Sequence, residues 1–143
     1  MATRRDAREW TVQLLFQLDL NPDDLDTVFE RFWTERKTDA KAREFTEGLV
    51  RGVRDNLGKI DGMLGKYAEH WDIHRMGVID RNVIRMAIYE MLFCNDIPPV
   101  VSINEAVDIA KYFSRTESGK FVNGILDRIS KDLDRPARRA VDG

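Results

Sequence analysis

SINEAVDIAKYFSRTESGKFVNGILDRI, residues 102–129, is the stretch on which the fold turns. Ser102 and Glu105 stand at the spacing of a capping box, in which a hydroxyl and a carboxylate each satisfy the other residue's backbone N–H. That pair predicts a helix starting at Ile103, and Pro98 and Pro99 upstream bar an earlier helix from running into it. Ala106, Val107, Ala110 and Phe113 then recur at three-and-four spacing, with Asp108 and Lys111 off the stripe, so one face is core. The second half holds a local conflict. Asn123-Gly124 between apolar residues suits a type I′ hairpin turn, but the arms would be three residues long, whereas Phe121, Ile125, Leu126 and Ile129 keep a helical period. We read two helices joined by a loop of four or five residues. Gly124 then lies inside a helix at about 1 kcal/mol relative to alanine, which predicts a neighbour or ligand crossing closely there.

Working outward, the rest of the chain shows helical periodicity and no sustained apolar–polar alternation. Thr3 and Asp6 form a second capping box, followed by the apolar face Ala7, Trp10, Leu14, Leu15 and Leu18, which predicts a helix ending near Leu20. A second helix is expected over roughly Asp24 to Arg36. A third, capped by Thr38 or Asp39, would bury Ala42, Phe45, Leu49, Val53 and Leu57 and stop at Gly58. A fourth runs from Lys59 towards Trp71, weakened by Gly62 and Gly65. The fifth, from about Val78 to Asn95, is apolar over more than half its circumference, the mark of a central helix. The expectation is one all-α domain of about seven helices spanning residues 1–143, with a disordered basic tail from 134 carrying Arg135, Arg138 and Arg139.

The chain has 143 residues, 43% of them apolar and 34% charged, which suits one soluble domain with a real core. It shows no apolar run of membrane-spanning length and no leader segment, and the single Cys94 cannot form an internal disulfide, so a cytoplasmic protein is expected. A formal net charge of −2 excludes a uniformly basic coat for nucleic acid. Any such binding must come from a local cluster.

Arg4, Arg5 and Arg8 are such a cluster. They occupy the first turns of a helix, where the macrodipole disfavours cations, an arrangement that makes sense if a phosphate docks against them and the free N–H groups. A solvated face with Arg5 paired to Glu9 is the competing reading. His70 and His74 have the spacing of metal ligands beside Glu69, but no third ligand lies at a recognised interval, and no cofactor is expected. Cys94 reads as a small packed residue. No nucleophile motif, phosphate loop or dinucleotide fingerprint is present, and no enzyme is expected.

The segments RRDAREWTVQLLFQLDL, IDRNVIRMAIYEML, IPPVVSINEAVDIAKYF and GKFVNGILDRI, in that order, resemble the NusB family of bacterial transcription antitermination factors across essentially the whole chain. The resemblance implies an all-helical domain that binds single-stranded boxA RNA of ribosomal leader transcripts, more tightly as a heterodimer with NusE, a small-subunit ribosomal protein. It would act within the RNA polymerase antitermination complex, without chemistry. By position it implies RNA contacts from Arg4, Arg5 and Arg8, with Asp6 where relatives often carry a basic residue. A second RNA-facing region would hold Glu117, Lys120, Phe121 and Asn123. For Phe121 two roles are open, core packing and stacking on an unpaired base. The NusE surface would include Phe16 and Asp80, with His74 where some relatives carry an acid. Two other classes share this fold: self-associating helical scaffolds and homodimers, and the RNA-binding leader domain of RNA cytosine methyltransferases.

Overall fold

A computed structural model describes the backbone of residues 1–68 and 76–142 and the side chains of 1–68 and 76–133. Seven helices follow one another among these residues: α1 Arg4–Leu20, α2 Leu25–Glu35, α3 Ala40–Asp55, α4 Leu57–Tyr67, α5 Val78–Phe93, α6 Pro99–Phe113 and α7 Thr116–Asp142. The side chains of the basic tail, and the segment that carries Glu69, His70 and His74, lie outside the described residues. No described helix is long and apolar enough to cross a membrane.

The first three helices start on side-chain caps. The Thr3 hydroxyl accepts from the Asp6 N–H at 3.1 Å while the Asp6 carboxylate accepts from the Thr3 N–H at 2.9 Å, the reciprocal pairing that the spacing predicts. Asp6 is thereby committed to starting α1. Asp24 and Asp39 cap α2 and α3 one-sidedly, each carboxylate accepting from the N–H three residues on, of Thr27 and Ala42. Gly58 does not end α3; it lies in the first turn of α4.

In the deciding stretch the two helices are present, but the capping box of Ser102 and Glu105 is not. α6 begins at Pro99, with Pro98 as its cap residue. A proline at the first helical position gives up an N–H that would have no partner anyway, so the same residues that block an incoming helix start this one. Ser102 is therefore inside α6, buried, and its hydroxyl donates to Glu90 Oε1 at 2.9 Å. The loop to α7 is only Ser114 and Arg115. So short a connection folds α6 and α7 back as a helical hairpin.

α5 lies at the centre, touching α1, α3, α4, α6 and α7. Val83, Ile84, Ala87 and Ile88 are fully buried there with Leu14 and Leu15 of α1, Val50 and Val53 of α3, Ile109 of α6 and Leu126 and Ile129 of α7. The close crossing expected at Gly124 is instead at Gly52. An added Cβ at Gly124 meets nothing within 4 Å, whereas at Gly52 it would overlap the Tyr89 ring of α5. The missing side chain of α3 lets α5 approach. α5 also carries buried charge. Arg85 donates to both carboxylate oxygens of Asp61 at 2.7 and 2.8 Å and to Asp19 at 3.0 Å, which ties α1, α4 and α5 together. Burial opposes the Arg85 charge, but the bond to Asp61 and the field of Asp19 outweigh it, and its pKa is raised.

Candidate nucleic-acid and partner surfaces

The three arginines of α1 point to three different environments. Arg8 is 2% exposed. Its Nε and Nη2 each donate to one oxygen of Glu90 at 2.8 Å, and its Nη1 reaches Glu105 at 3.5 Å. This is a structural ion pair, and Arg8 as placed is not available to a phosphate. Glu90 is the single acid within the apolar run of α5, and a charge in such a run signals a buried counterion; that was the one signal that Arg8 had a partner inside.

Arg5 is half exposed and pairs with Glu105 and with Asp108, the latter at 2.9 Å, rather than with Glu9. Its pKa is raised, chiefly by the bond to Glu105. Glu9, left without Arg5 as a close partner, is raised by burial and by the nearby charge of Asp6. Arg4 remains largely exposed: its guanidinium lies 4.6 Å above the Phe45 ring and 3.7 Å from Asp96. Phe45, expected in the core, is half buried and serves as a shelf on which Arg4 and Arg8 both rest. The cluster is therefore three cations largely compensated by Glu90, Glu105, Asp108 and Asp96. Glu105 and Asp108 escaped the sequence because one had been given to a cap and the other to solvent.

At the start of α7, Glu117, Lys120 and Asn123 are exposed. Phe121 is partly buried and packs against the core, which answers for its aromatic ring in the free protein. Lys111 of α6 lies across Gly119 so closely that a Cβ there would meet its aliphatic stem at 2.7 Å. Arg5 thus ties the N-terminal end of α1 to α6, and Lys111 ties α6 to the start of α7.

The residues that the resemblance assigns to a protein partner lie at and near the start of α5. Phe16 is half buried in a groove of about 460 Å³ between α1, α2 and α5, with Val28, Phe32 and Ile79 among its walls. Ile79 immediately precedes Asp80, so the fold brings Phe16 and the start of α5 together although 64 positions separate the two residues in sequence (80 − 16). Asp80 is partly exposed in the first turn of α5, where the helix dipole favours it, and accepts from the Ser114 hydroxyl at 3.4 Å. His74 lies outside the described residues.

No group of three or more metal-ligating side chains occurs among the described residues. Cys94 is half buried, and burial pushes its thiol pKa up, away from the reactive thiolate.

Comparison with known proteins gives a consistent result. The model of the NusB family matches residues 5–131. The transcription antitermination protein NusB of Desulfosudis oleivorans is 44% identical over 136 residues, 93% of this chain and 88% of that one. A solved structure of T. maritima NusB superposes with a TM-score of 0.83 at 44% identity, covering 91% of this chain and 92% of that one. A second, of antitermination factors NusB and NusE in complex with double-stranded RNA, gives 0.80 at 28% identity over 90% of this chain and 96% of that one.

Proposed function

The chain belongs to the NusB family, and from that premise we propose that it is a cytoplasmic transcription antitermination factor that binds boxA RNA together with NusE and acts without catalysis. The observation that carries this reading is the likeness, along nearly the whole chain, to a NusB solved with both NusE and RNA. The surfaces divide the work. RNA meets the face built from the start of α1, α6 and the start of α7: Arg4 and Arg5 take phosphate, Lys120 adds a cation, and Asn123 and Glu117 offer hydrogen bonds to bases or 2′-hydroxyls. Phe121 supplies an aromatic edge between them. Arg8 serves the same face from beneath, holding α1 against α5 and α6. Phe16, Asp80 and His74 meet NusE, and the assembly joins the RNA polymerase antitermination complex.

Arg5 already holds two carboxylates, so phosphate must compete with Glu105 and Asp108 for it. That competition predicts a weak RNA affinity for the protein alone. The test is a titration of labelled boxA RNA with the protein, with and without NusE, at one fixed salt concentration. Binding strengthened by NusE supports the reading; no binding under either condition overturns it.

A further inference from the structure

We propose that the groove between the start of α6 and α7 is a base-reading pocket in which the amides of Asn104 and Asn123 recognise one unpaired RNA base. This rests on the RNA-binding reading above and adds to it the element that confers sequence preference. The groove has a volume of about 310 Å³, with Asn104 on the α6 wall, Asn123 on the α7 wall and Pro98, Pro99 and Val100 as its apolar end. Both asparagines are exposed, and neither amide has a hydrogen-bond partner among the described residues. Two amides with unused donors and acceptors therefore line one groove, together with apolar side chains and the Ser130 hydroxyl.

That combination matches the chemistry of a nucleobase, which has flat apolar faces and an edge carrying both donors and acceptors. Phosphate contacts position a strand but carry no sequence information, and that is the role given above to the arginines and Lys120. The pocket is continuous with them. Asn104 is one helical turn from Asp108, which holds Arg5 at 2.9 Å, and Asn123 is one turn from Lys120. A strand held at Arg5 and Lys120 is thereby brought within about one helical turn of each asparagine along its helix. Asp127, the one acid in the wall, is paired with Lys131 at 3.0 Å.

The experiment uses the full chain, boxA RNA and a set of single-base variants of it, with affinities read by fluorescence anisotropy at several salt concentrations, with and without NusE. Asn104→Ala and Asn123→Ala should each flatten the preference at one and the same RNA position, by on the order of 5- to 150-fold, and leave the other positions and the salt slope unchanged. Both residues are exposed, so the variants should keep wild-type helicity and melting temperature. A uniform loss across all sequences, an unchanged preference profile, or a loss confined to the benefit of NusE would overturn the pocket while leaving the RNA-binding function intact. Failure of the wild type to bind any of the RNAs would instead remove the function on which the pocket rests.

Discussion

Arg8 and Glu90, 82 positions apart, meet in a bidentate pair, 2.8 Å on each arm, with side chains 2% and 1% exposed. Around that pair Ser102 donates to the same carboxylate and Glu105 shares the same guanidinium. It fastens α1, α5 and α6 at the point where the proposed RNA face is built. Removing one member leaves the other charged and buried, which typically costs about 3–5 kcal/mol. Arg8→Ala should therefore lower the denaturation midpoint strongly and weaken RNA binding only through loss of the fold. A variant with wild-type stability in urea and selectively weak RNA binding would show that Arg8 is a contact after all.

Arg4 and Arg5 should behave differently. Both are at least partly exposed, and cations at a helix N-terminus do not stabilise it. The double change to Ala should leave thermal stability close to wild type and lower the salt slope of RNA binding by about one to two contacts. The smaller end of that range is expected, because Arg5 begins in an ion pair. Glu105 also touches Arg8, so Asp108→Asn is the cleaner way to remove one of the two carboxylates that hold Arg5, and it should strengthen RNA binding at low salt.

Two glycines make opposite predictions. Gly52→Ala gains about 1 kcal/mol in helix propensity but drives a methyl into the Tyr89 ring, an overpacking that typically costs about 1–3 kcal/mol. Its melting temperature should fall. Gly124→Ala has open space, so its melting temperature should rise. Equal shifts in the two variants would mean that the α3–α5 crossing is looser than described.

The Asp39 carboxylate accepts from the Ala2 N–H at 3.2 Å and from the Ala42 N–H at 3.4 Å, and its pKa is lowered, first by the Ala2 bond. A depressed carboxylate contributes stability above its unfolded pKa of about 3.9, and that contribution is lost as pH falls towards the folded value. Asp39→Asn should therefore be less stable than wild type at neutral pH, with the difference closing below about pH 4. A difference independent of pH would show that the ionised form is not what matters.

What could be read from the chain, and what could not, divides along the range of the interactions. Capping at Thr3, the helical period through Asn123-Gly124 and the central place of α5 are local or periodic signals, and each appears in the fold. Ser102 was misread because its hydroxyl had two uses, a cap within its own helix or a donor to Glu90 twelve residues away, and burial favoured the second. Gly124 was misread for a similar reason: a helical glycine signals a missing side chain but not whether anything fills the space. At the candidate site, Arg4 stood out by its place at a helix N-terminus, whereas Lys120 and Asn123 came only from the family resemblance; all three are exposed. The pairing of Arg5 and Arg8 with acids of α5 and α6 was not legible, since it depends on how three helices dock.

Asp80 and Phe16 decide between an antitermination factor and a lone RNA binder. Asp80→Lys reverses the charge beside the apolar groove that holds Phe16, so a basic residue of NusE would face a cation in a partly desolvated contact. The decisive measurement is a titration of boxA RNA with wild type and Asp80→Lys, each with and without NusE, at one fixed salt concentration. The variant should bind RNA alone as wild type does and lose the added affinity that NusE brings. If Asp80→Lys keeps the full benefit of NusE, the partner surface lies elsewhere; if wild type gains no affinity from NusE, the proposed function is contradicted.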